Sequence, residues 1–196
     1  MIKQGISEKY NHQFQMIKSF TDDLFVADYT NSSKSLINKR SVEFFSPNVP
    51  ADIEFFSIFN STKLEIEGLE FDNNSFIYGN NKARSQCEAI IFPTTSTNNS
   101  WVLFCELKYS SKPANNSINL RKAVKQLYRT RYYYIQENII SATNNCYLIA
   151  SLPTQVEPFS NFSISQPLLA KLKRKRNIIL RFKNGVEIVD NVLLKV

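Results

Sequence analysis

Histidine is almost missing from this chain: His12 is the single one in 196 residues. A Ser-His-Asp triad would have to be built on it, and zinc or HNH-type centres have no set of imidazoles to draw on. Its place in an N-terminal helical pattern fits a surface or capping role. Cysteine is scarce as well. Cys87, Cys105 and Cys146 show no CxxC spacing and lie in apolar, strand-like runs. This argues against a structural zinc site and fits buried free thiols in a reducing compartment. With four glycines there is no GxxxxGK[ST] and no GxGxxG, which argues against P-loop and Rossmann nucleotide binding. Seven prolines and those four glycines leave little for extended flexible linkers. No apolar run approaches the ~20 residues that cross a bilayer, and the N-terminal MIKQGISEKYNHQFQ lacks the apolar core of a secretory signal. The expectation is a cytoplasmic protein with no membrane partner, monomeric or homodimeric.

What is present is an ordinary globular composition, 43% hydrophobic and 21% charged, over a length that suits one domain, 1–196, with its own core. Within it, 1–62 reads as an N-terminal helical part, 63–153 as the core and 154–196 as a basic run with an accessory hairpin. The net charge of +7 and pI near 9.3 favour a polyanionic partner. A carboxylate-and-lysine site is among the few catalytic chemistries left open.

The stretch Cys87–Lys108, CEAIIFPTTSTNNSWVLFCELK, shows where such a site would sit. Two apolar runs joined by a Thr, Ser and Asn segment predict a β-hairpin. Side chains alternate faces along a strand, so Glu106 and Lys108 share one face and Cys105 and Leu107 the other. A loop centred near Thr97 would set Glu88 opposite Glu106, with Cβ atoms about 4.5–5.5 Å apart. Two carboxylates there need a compensating charge, and a hard divalent cation supplies it.

The arrangement E…ELK resembles the PD-(D/E)xK nuclease superfamily over roughly residues 65–152. Glu88 stands where that family more often has Asp, and no Pro-Asp dipeptide precedes it. The resemblance implies a restriction-endonuclease-like α/β core, a central mixed sheet flanked by helices, and magnesium-dependent cleavage of nucleic acid, DNA before RNA, with manganese as a substitute metal. Glu88 and Glu106 would hold the metal with the Leu107 carbonyl, Lys108 would orient the attacking water, and Gln126 would stand beside the site. A non-catalytic, basic nucleic-acid-binding or interaction protein retaining that fold is the alternative.

The remaining segments are read around this core. Residues 7–25 predict an amphipathic helix capped by Ser7, and 26–40 a loop. SVEFFSP is a short strand or a helix end, and Ile53, Phe56 and Phe59 at spacings of three predict a helix over 50–60. Glu54, then Glu43, are candidates for a further acid from that region, and Asp72, in a strand-and-turn segment over 63–79, is another. The run 117–138 predicts the longest helix, with Leu120, Val124, Leu127 and Ile135 as its apolar stripe and Ser117 as cap. NCYLIASLP, 145–153, reads as a strand buried on both faces, and 154–167 as loop. Lys82, Arg84, Lys122 and Arg129 are candidate phosphate contacts. So is the dense run Lys171, Lys173, Arg174, Lys175 and Arg176, should it face the site. IILRFKNGVEIV predicts a closing hairpin with a Lys-Asn-Gly turn.

Overall fold

The hairpin lies in the middle of a six-stranded sheet in the computed structural model, which describes residues 1–72, 74–77 and 82–196. The chain begins with α1 (Ile2–Lys9), α2 (Asn11–Gln15), β1 (Lys18–Phe20), β2 (Leu24–Asp28), β3 (Val42–Phe45), β4 (Phe56–Phe59) and β5 (Ile66–Glu70). It continues with β6 (Ala89–Pro93), β7 (Trp101–Leu107), α3 (Asn116–Gln136) and β8 (Asn145–Ser151). It ends with α4 (Gln166–Arg176), β9 (Ile178–Phe182), β10 (Gly185–Ile188) and β11 (Leu194–Lys195). The first sheet has the order β1-β5-β6-β7-β8-β9 and the second, five-stranded sheet the order β11-β10-β4-β2-β3. Both are mixed: β5, β6 and β7 run antiparallel, while β8 and β9 follow β7 in parallel. In the second sheet, β4 and β10 are a parallel pair among antiparallel ones.

Alternation along β7 divides the core. Val102 and Phe104 pack with Leu120, Ala123, Leu127 and Tyr134 of α3. Trp101, Leu103, Cys105 and Leu107 pack with Leu24, Val26, Phe56 and Ile58 of the second sheet. Covered on both faces, β7 is buried at every position, which explains its unbroken apolar sequence. α3 forms because its apolar residues recur every three or four positions with no Gly or Pro between them. It stops where Asn138 takes a left-handed φ of 57°. Asn115 stands at its cap position and Ser117 lies inside its first turn. α4 starts with Pro167 in its first turn and ends at Asn177, φ 49°.

The second sheet is where the structure departs from the sequence reading, which expected helices to flank a single sheet. The helix expected over 7–25 is broken at Tyr10 (φ −138°) into α1 and α2, and the rest is strand, β1 pairing with β5 and β2 with β3 and β4. The helix expected over 50–60 is β4, where Phe56 and Ile58 are buried and Phe59 is exposed. The burial period is two, and the spacing of three is a coincidence of aromatic residues. SVEFFSP contains β3. The closing hairpin is absent: β9 pairs with β8 in the first sheet, while β10 pairs with β4 and β11 in the second. The Lys-Asn-Gly segment carries the chain from one sheet to the other, with Gly185 close against the Ser57 backbone. In the 63–79 segment β5 is present. Asn73 and Tyr78–Asn81, part of the expected turn and extended piece, lie outside the described residues.

Candidate active site

Parallel strands leave an open end where their carboxyl termini meet, and ligands of α/β sheets bind there. Glu106 lies near that end of β7, level with Ala150 of β8. It follows Val102 and Phe104 on the helix-facing side and is fully buried. One carboxylate oxygen, Oε1, accepts the Lys108 ammonium. The other, Oε2, is buried and takes no donor among the described residues, although the Glu88 carboxyl lies within hydrogen-bonding reach of Glu106. Lys108 keeps a quarter of its side chain in solvent, 25%.

Glu88 arrives by an irregular path. The β6–β7 ladder ends with Ala89 opposite Cys105, but the Glu88 amide also donates to the Cys105 carbonyl, 3.0 Å. Two consecutive residues therefore address one, a bulge that re-aims the side chain. A regular continuation would have set Glu88 directly opposite Glu106. The carboxyl groups still meet, with Glu106 and Lys108 both acting on Glu88. The Glu88 carbonyl is taken by the Phe71 amide at 2.9 Å. α3 holds the preceding residues: Gln126 Nε2 donates to the Gln86 carbonyl at 2.8 Å, and Thr130 Oγ1 accepts the Cys87 amide at 2.8 Å.

A third acid comes from the second sheet. Asp28, the last residue of β2, is 7% exposed. Its amide donates to the Tyr109 hydroxyl at 3.1 Å and its Oδ1 accepts the Thr30 amide at 2.8 Å. Asp28 and Glu88 line one cleft of about 560 Å³ together with Arg40, Arg84, Lys108 and Gln126. A larger groove of about 690 Å³ lies between α4 and the C-terminal strand, but no acid is among the described residues that line it. A loop over 26–40, as the sequence suggests, gives no reason to single out Asp28. The available signal is LFVAD, an apolar run ended by an acid, the pattern that WVLFCEL also shows.

Burial sets the charge state of the cleft. It pushes the Glu88 carboxyl up to about 7, with Asp28 adding to the rise and Lys108 and Glu106 opposing it. Burial and then the neighbouring Glu88 push Glu106 well above the usual carboxylate range, against the pull of Lys108. Burial works against a charged Lys108, but Glu106, Glu88 and Asp28 outweigh it and raise its pKa. Without a cation, two adjoining carboxyls in this setting retain a proton near neutrality.

Glu88, Glu106, Lys108 and Gln126 are thus brought together, with Arg84 at the rim, 5.4 Å from the Tyr133 ring. Leu107 pairs with Ser151 and buries its side chain between the sheets. The other candidates are placed elsewhere. Lys82, Lys122 and Arg129 are exposed and outside the cleft. The 171–176 run forms the end of α4, which packs on β9 at the sheet edge. Its last residue precedes the start of β9, level with the start of β8 and so remote from the end that bears Glu106. Glu54 is exposed and contributes only its carbonyl, to the Tyr109 hydroxyl. Glu43 pairs with Arg40. Asp72 lines the cleft mouth, but its oxygens serve the Asn74 amide, the Ser75 hydroxyl and His12.

No family model, curated protein or solved structure matches this chain. The chemistry of the cleft is therefore read from its own residues. Among the described residues no group of three or more His, Cys, Asp and Glu side chains is spaced to hold a metal ion, and no helix is long and apolar enough to cross a membrane. A buried carboxylate oxygen with no donor, beside a second carboxyl and an open cleft, does fit a hard cation that completes its shell with backbone and water oxygens.

Proposed function

We propose that the cleft hydrolyses phosphodiester bonds in nucleic acid, DNA before RNA, with magnesium held by Glu88 and Glu106, and manganese as a substitute. The observation that carries the reading is the division of labour on Glu106: Oε1 engages Lys108, while Oε2 lies buried without a donor among the described residues and the Glu88 carboxyl adjoins it. The order of hairpin, helix and parallel strand around E…E-x-K supports a restriction-endonuclease-like core and a PD-(D/E)xK kind of site.

Bound magnesium would polarise a phosphoryl oxygen and make a bound water more acidic. The chain's own residues supply the rest. Glu88, Glu106 and the Leu107 carbonyl would present oxygens to the cation. Lys108 orients the attacking water and offsets the charge that develops on phosphorus. Asp28 adds negative potential from the opposite sheet. Gln126 acts as a positioning residue, holding the Gln86 carbonyl and with it the approach to Glu88. The cleft wall keeps bulk water from the buried oxygens.

The test is cleavage of plasmid and short duplex DNA with Mg²⁺ or Mn²⁺. Glu106→Gln and Lys108→Ala should each lose about 10²–10³-fold in rate, the range for removing one electrostatic element of a catalytic site. A wild-type protein that cuts no DNA or RNA with either metal, or a Glu106→Gln variant that cuts as fast, overturns the reading.

A further inference from the structure

The chain's net positive charge resides in two helices. α3 carries Arg121, Lys122, Lys125, Arg129 and Arg131 and no Asp or Glu. α4 carries Lys171, Lys173, Arg174, Lys175 and Arg176, again with no acid. Those ten account for more than the whole net charge of +7, because the rest of the chain has fourteen basic residues against seventeen acidic ones. The last residue of α4 is tied to α3, where Arg131, in the helix's C-terminal half, donates to the Arg176 carbonyl at 3.2 Å.

We propose that α3 and α4 together form a docking surface for the sugar-phosphate backbone of duplex nucleic acid, extending from beside the carboxylate cleft to the far end of α4. Arg121, Lys125 and Arg129 are exposed and four residues apart, so they form a slanting row on one side of the helix that rises about 6 Å per step. A duplex offers one negative charge per about 1.7 Å of its axis, so such a row meets several phosphates at once. An anionic membrane fits less well. The apolar stripe of α3, Leu120, Ala123 and Leu127, is already buried against the sheet, and the large apolar residues α3 exposes, Ile118 and Tyr132, stand about 21 Å apart along the helix and form no continuous stripe to enter a bilayer. The α4 end of the surface lies away from the cleft, while on α3 Lys122 and Arg129 stand one turn either side of Gln126, which lines it. Arg176 adjoins the start of β9, where Ile178 pairs with Cys146, while Glu106 is level with Ala150 and Phe182, about 13 Å further along the strands. Contacts of this kind carry no base information, so affinity follows charge and not sequence.

The proposal does not rest on hydrolysis at the cleft, and its test uses no divalent cation. Binding of a fluorescent DNA duplex is followed by anisotropy over a series of salt concentrations, for the wild type and three triple variants. The two patch variants are Lys122→Gln/Lys125→Gln/Arg129→Gln and Lys171→Gln/Arg174→Gln/Lys175→Gln. The control is Lys9→Gln/Lys63→Gln/Lys195→Gln, three exposed lysines elsewhere. Each patch variant should lower the slope of log affinity against log salt by about 2–3, since each phosphate no longer neutralised removes about 0.9, and the control should leave it unchanged. Equal effects of patch and control, no duplex binding at low salt, or displacement of the duplex by phosphatidylserine vesicles overturns the proposal. Cleavage assays on Lys108→Ala decide the nuclease reading separately.

Discussion

The backbone amide of Asp28 donates to the Tyr109 hydroxyl at 3.1 Å, and that hydroxyl donates to the Glu54 carbonyl at 2.6 Å. One phenol thereby ties the end of β2, in the second sheet, to the residue that follows Lys108 in the first. Tyr109→Phe removes both bonds and leaves the ring packing in place. The expected result is about 1–2 kcal/mol lost in denaturant unfolding, together with weaker Mn²⁺ binding by calorimetry. Unchanged Mn²⁺ affinity in a destabilised protein would show that Asp28 has no part in the site.

Glu106 is the acid whose charge and shape can be separated. Glu106→Gln keeps the volume and relieves the repulsion between Glu106 and Glu88, while Glu88 and Asp28 stay beside Lys108, so the metal-free variant should be at least as stable as the wild type. Mg²⁺ at ten times its dissociation constant should stabilise the wild type by about 1.4 kcal/mol and the variant not at all. Lys108→Ala should act in the opposite sense, costing about 1–3 kcal/mol by leaving Oε1 without its donor. Thermal melts with and without Mg²⁺ check all three.

The raised pKa of Glu88 has a consequence for stability against pH. In the fold it titrates near 7, against about 4.3 in an unfolded chain. The folded state therefore keeps the proton longer as pH rises, and this stabilisation, complete below about pH 4, is lost by the time pH passes about 7. Metal-free protein should have a lower urea midpoint at pH 8 than at pH 5, and Glu88→Gln should flatten that difference. Parallel pH curves for the two proteins would contradict the assignment.

Burial predicts where substitutions hurt. Phe104, with no exposed surface, packs edge-on against Tyr134 at 6.0 Å between ring centres. Phe104→Ala should cost about 3–5 kcal/mol. Ile37, fully exposed at 101% in the loop between β2 and β3, should tolerate Ser within about 0.5 kcal/mol. Equilibrium unfolding of the two variants gives the comparison.

The elements legible in the sequence are those with a long, uninterrupted pattern. β6 and β7 announce themselves as apolar runs around a polar loop, α3 as several turns of apolar spacing, and β8 as a strand with no polar face. The hairpin register could be read as far as Ala89. It failed at Glu88, because a bulge depends on one backbone hydrogen bond that no side-chain pattern encodes. The second sheet was hidden for a different reason. Its strands are short, β4 and β10 are neighbours only through a pairing of residues more than 120 positions apart, and short apolar runs fit a helix or a strand equally well until a partner strand is present.

The sequence by itself determined that Glu106 and Lys108 share a face, since a strand has a period of two, and that α3 and α4 hold cations without acids, since that is a matter of composition. Only the tertiary structure decided that Glu106 is buried with one oxygen lacking a donor among the described residues, that Asp28 reaches the same cleft from another sheet, and that the 171–176 run lies away from it. Each of these depends on which distant segments pack together. Packing is settled by the burial of whole faces, not by any local run of residues.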